Sequence, residues 1–148
     1  MNRHTHTAIS VASGLFACTL FNLPVVLVVS GCLNSAMLPD IDLHFHALRH
    51  RGITHSLLLP IVLSCCAIGT TGSIHYIIIG LIIGLLSHII ADLFNGKGVE
   101  IFYPCKRNFS LADIKYNGKG EDIIRIVAYC YICYSLLMNW TSSPMMFN

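Results

Sequence analysis

Charged residues are scarce in this chain. Only 11% of its 148 residues are Asp, Glu, Lys or Arg, against roughly 25% in ordinary soluble domains. Together with a mean hydropathy of +0.69, this scarcity predicts an integral membrane protein. The formal net charge of +2 is small, and no basic run or aromatic-interleaved patch is present. We therefore expect no nucleic-acid partner.

A disulfide framework is lacking as well. The seven cysteines are odd in number and irregularly spaced, which is not the pattern of a disulfide-rich fold. Cys130 and Cys133 share a predicted helix face, so a pair of thiol ligands is conceivable. The alternative that we favour is that they are small buried hydrophobic residues.

Apolar runs occupy most of the chain. A membrane-spanning helix needs ~20 apolar residues, and the run from Ile74 to Phe94 meets this length. We predict an all-α polytopic membrane helical bundle of four to five helices, with residues 1–148 forming a single integral membrane domain in a lipid bilayer. The helices are expected at about 7–23, 25–38, 55–69, 74–95 and 123–140, with a polar cytoplasmic segment at 96–122. Whether 123–140 spans the membrane stays open.

The polar side chains fall into three groups. The first is the stretch 38–56, which contains two Asp, four His and two Arg residues. The second is His88 with Asp92, four residues apart and therefore on one helix face. The third is His4 with His6, near the start. Asp and His bind zinc and other divalent metals, and a carboxylate within an apolar helix indicates function. The alternative for the second group is a His–Asp hydrogen bond that joins two helices.

The order in which the predicted helices cross the membrane brings these three groups to one side. If the first four helices cross in alternation, one side receives the start of the first, the end of the second, the start of the third and the end of the fourth. That side holds the predicted metal ligands His6, Asp40, Asp42, His55, His88 and Asp92. It also holds all nine Lys and Arg residues, and such residues are retained in the cytoplasm. We therefore predict one metal site that faces the cytoplasm. His75 lies at the other end of its helix and should play no part.

Three or four protein ligands with an open water position describe a catalytic zinc site. The pattern therefore predicts hydrolysis, with zinc the expected divalent metal, whereas a fully closed set of ligands would be structural. Asp40 and Asp42 follow Pro39, where the second helix should end. We expect whichever of them does not bind the metal to be the general base. The alternative for both is a helix cap or a solvated turn.

The predicted substrate-binding residues are His50 and Arg51. The forked guanidinium of Arg51 can bind a phosphate through two nitrogens, and it could equally be a positive anchor on the cytoplasmic side. His44 and His46 are expected to be exposed loop residues.

Several short pieces in this order resemble one family. They are Thr5-His6, Leu38-Pro39-Asp40-Ile41-Asp42, His50-Arg51-Gly52-Ile53-Thr54-His55-Ser56, Ser87-His88-Ile89-Ile90-Ala91-Asp92, and Gly98-Val99 with Pro104. The chain resembles, over roughly residues 5–110, the YdjM-like family of bacterial inner-membrane proteins, described as membrane-bound metal-dependent hydrolases. One departure is Leu43, where the family usually has histidine. The resemblance implies a bacterial inner (plasma) membrane location and hydrolase activity.

The family is more distantly similar to zinc-dependent phospholipase C and related single-strand nucleases. This similarity implies that His6, Asp40 or Asp42, His55, and His88 with Asp92 bind metal, and that the substrate is a phosphoester or similar bond, such as a lipid head group. The chain lacks a further H-x-x-x-E/D pair, which implies one or two ions. Two other functions stay open: a non-catalytic metal-binding or metal-transporting protein, and a structural or interaction protein.

Overall fold

A computed structural model describes residues 1–36, 38, 39 and 53–142, with side chains up to residue 139. Four of the predicted site residues lie outside the described residues, namely Asp40, Asp42, His50 and Arg51, as do His44 and His46. The structure therefore bears on the predicted site through the side chains that α-helices and one short turn contribute.

Five α-helices make up most of the described chain. They are α1 Arg3–Phe21, α2 Val25–Ser35, α3 Leu58–Ile68, α4 Gly72–Leu93 and α5 Lys119–Ser142, and a 3-10 helix, Ile53–His55, precedes α3. Within the described ranges, extended pairing is limited to an isolated antiparallel bridge between Val99 and Phe109. The all-α prediction is therefore confirmed for the residues that the structure describes.

Local chemistry sets the ends of α1. The Asn2 side chain accepts a hydrogen bond from the His4 amide at 3.3 Å, which is the usual role of asparagine at a helix N-cap. The helix therefore begins at Arg3 rather than near residue 7, and His6 is part of it. At the other end Asn22 adopts the left-handed conformation, with φ 52°, which terminates a helix.

The helix α4 is the centre of the bundle. It packs against α1, α2 and α3, while α5 packs against α1. The contact with α2 is close because glycines face it: a Cβ at Gly80 would collide with the carbonyl oxygen of Val28. The close contact holds the ends of α2 and α4 side by side.

One described helix, α4, is long and apolar enough to cross a membrane. Its 22 residues include an 18-residue window with a mean hydropathy of 2.2. At 1.5 Å per residue it is about 33 Å long, and the bilayer core is ~30 Å thick. The apolar helices α2 and α3 have 11 residues each. A bundle in which four or five helices cross the membrane therefore stays a prediction.

The segment between α4 and α5 folds back over the end of α4. The Leu111 amide donates to the Leu93 carbonyl at 2.7 Å, and the Ile114 amide donates to the Phe94 carbonyl at 2.9 Å. The amide of Leu57, just before α3, donates to the Ile101 carbonyl at 3.0 Å. This segment, residues 94–118, covers the end of the bundle at which α4 terminates. Its cytoplasmic location stays a prediction.

The seven cysteines are free thiols, of which Cys18 and Cys32 are buried. The predicted burial of Cys130 and Cys133 is wrong, because both are exposed. The reason is the position of α5, which packs along α1 and leaves most of its surface open. That open surface carries many large apolar side chains, including Ile126, Val127, Leu136 and Leu137.

Candidate metal centre

Asp92 is the second-to-last residue of α4 and is 2% exposed. Three imidazoles surround its carboxylate. The Nε2 atom of His6 lies 3.4 Å from Oδ1, while the Nε2 atoms of His55 and His88 lie 3.3 Å and 3.6 Å from Oδ2. All three imidazole side chains are buried as well. One carboxylate and three imidazoles therefore share a site closed off from solvent.

Three elements supply these four side chains. His88 and Asp92 lie one turn apart near the end of α4, and His6 lies in the second turn of α1. Since α1 begins at the end of the bundle where α4 terminates, the two helices bring these residues together. His55 closes the 3-10 helix that leads into α3. Its ring centroid lies 5.2 Å from that of His88.

The distances suit metal ligands as well as long direct hydrogen bonds. A charged N–H···O hydrogen bond to a carboxylate measures ~2.7–2.9 Å between heavy atoms. In a tetrahedral zinc site each ligand atom lies ~2.0–2.1 Å from the ion, so neighbouring ligand atoms are about 3.3 Å apart. The three His–Asp92 separations of 3.3–3.6 Å match the second value. The donor atoms of His6, His88 and Asp92 lie within 4.8 Å of one another. The residues present therefore fit a divalent ion.

The tautomer of His88 points to the same chemistry. Its Nδ1 lies 2.7 Å from the Ala36 carbonyl oxygen, and because that oxygen can only accept, Nδ1 must carry the proton. In the neutral ring Nε2 then has a lone pair, which faces Asp92. A ring nitrogen with a lone pair is the form of histidine that binds a metal ion. An Nδ1–H bonded to a backbone carbonyl is also the usual outer partner of a metal-binding histidine.

The rings of His6 and His88 are stacked, with centroids 3.9 Å apart and planes 14° from parallel. Two imidazolium cations in this arrangement would repel each other in a buried site. Stacking therefore favours neutral rings, which is the form that binds metals. The buried Nδ1 of His6 has no hydrogen-bond partner among the described residues.

His55 is oriented by its own neighbours in the chain. Its Nδ1 lies 3.1 Å from the Thr54 hydroxyl, and the Ser56 hydroxyl donates to the Ile53 carbonyl at 2.7 Å. These contacts hold the 3-10 helix in a shape that directs Nε2 of His55 at Asp92. His55 thus lies in the turn before α3, which begins at Leu58, and not in the helix itself.

Comparisons with known proteins identify the family of this chain. The family model described as YdjM inner membrane protein matches residues 1–144. The chain belongs to the YdjM family. It is similar to the inner membrane protein YdjM of Escherichia coli (strain K12) and to that of Shigella flexneri, with 28% identity over 164 aligned positions in each case. Each alignment covers 93% of this chain and 83% of the relative. No solved structure matches this chain.

Membership of the YdjM family makes this chain an inner-membrane protein that contacts the lipid bilayer. Among the predicted metal ligands, the structure brings together His6, His55, His88 and Asp92. The predicted residues Asp40, Asp42, His50 and Arg51 lie outside the described residues. His75 lies at the opposite end of α4 and contacts the end of α3, with its Nδ1 3.1 Å from the Ala67 carbonyl oxygen.

Two groups near the centre of this YdjM-family protein are missing from the sequence-based site. The nitrogen of Met1 lies 3.7 Å from Oδ1 of Asp92. Glu121, in the first turn of α5, is fully buried and accepts hydrogen bonds from the amides of Asn2 and Asn117, the latter at 2.7 Å. Burial alone would raise the pKa of Glu121. The two hydrogen bonds lower it by more than burial raises it, so the pKa lies below the usual value.

Glu121 fixes the start of α5 to the start of α1, the helix that carries His6. From the sequence this residue falls in the predicted polar segment 96–122, whereas in the structure it lies in the first turn of α5, where carboxylates commonly stabilise the helix dipole. Its second role, a contact with Asn2 from the far end of the sequence, has no local signal.

Proposed function

We propose that this protein is a membrane-bound metal-dependent hydrolase that cleaves a phosphoester or similar bond. The proposal rests on one observation above all: three imidazole Nε2 atoms surround the buried Asp92 carboxylate at 3.3–3.6 Å. A divalent ion held by these residues would supply Lewis acidity and would lower the pKa of a water molecule to about 7.

The residues of the centre then have distinct roles. His6, His55, His88 and Asp92 hold one or two ions, with zinc the expected metal. Whichever of Asp40 and Asp42 does not bind the metal accepts the proton of the attacking water. His50 and Arg51 bind the substrate, with the Arg51 guanidinium on a phosphate oxygen.

One observation weighs against transport. A transporter would have its binding site near the middle of the bilayer, whereas these donors lie at helix ends. Metal analysis separates a purely structural His–Asp contact from a metal-binding centre.

The centre is proposed to face the cytoplasm in a multi-pass arrangement. The support is the distribution of positive residues, all nine of which fall on the side of the centre if the helices cross in alternation.

The test is metal analysis of the purified protein, followed by a phosphoesterase screen that includes lipids. We expect about one or two equivalents of a divalent metal and hydrolysis of at least one phosphoester class. Asp92→Asn keeps the shape of the side chain and removes the charge that offsets the cation. It should leave the protein folded, but metal-poor and inactive.

The matched control is Asp122→Asn. Asp122 is an aspartate in α5 whose partly exposed carboxylate pairs with Arg125 at 2.6 Å. This variant should retain metal and activity. An Asp92→Asn protein that retains metal and activity would contradict the proposal. An asparagine can still hydrogen-bond a histidine, but it is a poor partner for the cation. A wild-type protein that holds metal but cleaves no phosphoester would support metal binding and would contradict the proposed hydrolase activity.

A further inference from the structure

An apolar cavity of about 270 Å³ lies beside the candidate metal centre. Its walls come from α1, α4, α5 and the segment 94–118, through the side chains of Ile9, Ile90, Ala91, Phe94, Ile114 and Ile124. Every one of these is apolar. The cavity therefore has no side chain that could bind a charged or hydrogen-bonding group.

The cavity and the centre share the same two helices. Ala91, in the cavity wall, directly precedes Asp92 in α4. Ile9 follows His6 by one helical turn in α1, so the two side chains are neighbours on one face. Met1 also contacts the cavity, and its nitrogen lies 3.7 Å from Asp92. The cavity therefore adjoins the centre through Met1, although none of the four donors lines it.

The cavity opens on the outer face of α4. Ile90 and Phe94 are 53% and 37% exposed, although both are large apolar residues. Ile90 belongs to the described helix that is long and apolar enough to cross a bilayer, and Phe94 is the C-cap of that helix. The opening thus faces the side from which lipid would approach.

We propose that this cavity binds the hydrocarbon chain of an amphiphilic substrate whose polar head group reaches the donors His6, His55, His88 and Asp92. This inference rests on the proposed hydrolase function and names its substrate class. A head group would lose its hydrogen bonds to water in an apolar cavity, whereas a hydrocarbon chain loses nothing there. The volume equals that of roughly nine liquid waters, which suits a segment of one chain and not a whole lipid.

Photo-crosslinking tests the proposal without requiring turnover. The probe is octyl phosphate with a diazirine at its terminal carbon, added to the protein in phosphatidylcholine nanodiscs, and labelled peptides are mapped by mass spectrometry. We expect the label on the cavity residues Ile9, Ile90 and Ile124. Ile124→Trp places an indole in the cavity and should reduce this labelling at least tenfold.

The chain offers a matched control one residue away. Ile123 is 61% exposed and is not part of the cavity wall, so Ile123→Trp should leave the labelling unchanged. Ile90→Trp, at the exposed opening, blocks entry from a position where a larger side chain has room, and should reproduce the loss. Equal labelling of the outward residues Leu136 and Leu137, unaffected by all three tryptophans, would mean ordinary lipid contact and would overturn the proposal.

The same measurements separate this inference from the proposed function. If the protein hydrolyses a phosphoester but the cavity is not labelled, the proposed hydrolase activity stands and the proposed chain-binding site is wrong. Labelling of the cavity that falls in Asp92→Asn supports a head group at the metal donors. Labelling of the cavity that is unchanged in Asp92→Asn contradicts that placement of the head group. If the cavity is labelled but the protein hydrolyses no substrate, the chain-binding site stands and the proposed hydrolase activity is wrong.

Discussion

The two ends of α4 each carry a histidine whose Nδ1 faces a backbone carbonyl. His75, near the start, lies 3.1 Å from the Ala67 oxygen and is partly exposed. His88, near the end, lies 2.7 Å from the Ala36 oxygen and is buried. The backbone contact orients the ring in both cases. The difference is what the other ring nitrogen meets, because only His88 points it at Asp92, where His6 and His55 converge.

The ends also differ in what surrounds them. The start of α4 follows a short turn from α3, in which the Thr70 hydroxyl donates to the Ala67 carbonyl at 3.0 Å. At its other end the segment 94–118 folds back over the helix, and Glu121 ties α5 to α1. A histidine on an apolar helix therefore indicates a candidate centre only where several elements enclose it.

The largest expected effect comes from substituting His88 or His75 by alanine in separate variants. His88→Ala removes a proposed ligand and should lower metal affinity by at least about 100-fold, since even the outer partners of metal ligands contribute ~10–100-fold. His75→Ala should leave metal affinity unchanged. Titration of the metal-free proteins with Zn²⁺ measures both. Equal affinities would remove the distinction between the two ends of α4.

A second experiment asks whether the two ends of α4 lie on opposite sides of the membrane. In a cysteine-free background, Ser73→Cys marks the start of α4 and Lys115→Cys marks the segment beyond its end; both positions are exposed. In intact cells an impermeant maleimide should label position 73 at least tenfold more than position 115, because the positive residues cluster with the latter. The reverse labelling would place the centre outside the cytoplasm.

The smallest expected effect concerns the contact of Glu121, in α5, with Asn2 at the start of α1. Glu121→Gln weakens two hydrogen bonds to a charged group and should lower the free energy of unfolding by about 1.5 kcal/mol at pH 7. The pKa of Glu121 is below its usual value in the folded protein, so its contribution is fully present above the unfolded pKa of ~4.3 and is lost as pH falls through the folded pKa.

Thermal unfolding in detergent over a range of pH measures this contribution. The control is Asp122→Asn, which breaks a partly exposed ion pair with Arg125 and should change stability by less than ~1 kcal/mol. A constant difference between Glu121→Gln and the wild type from pH 7 to pH 3 would show that the ionised carboxylate does not carry the effect.

The sequence alone determined the helical class, the spanning length of α4 and the pairing of His88 with Asp92. Each of these depends on neighbours within one or two helical turns, where the periodicity of the backbone decides which side chains share a face. It also determined the family, through short pieces that occur in a specific order.

Helix ends were less accessible to prediction. The Asn2 cap moves the start of α1 to Arg3, and α5 begins at Lys119, ahead of the apolar run that predicted it. Polar residues near a helix end carry no apolar periodicity, so a pattern of apolar residues underestimates the helix there. The exposure of Cys130 and Cys133 on the open surface of α5 was missed because it depends on which helices α5 contacts.

Only the tertiary structure decided the geometry of the centre and the cavity beside it. His6 and Asp92 are far apart in sequence, and their 3.4 Å separation depends on how α1 packs against α4. The same holds for the position of Glu121 against Asn2 and for the presence of Ile9 and Ile124 in the wall of one cavity. The physical reason is that distances between helices are set by side-chain packing along their whole length. No local stretch of sequence contains that information.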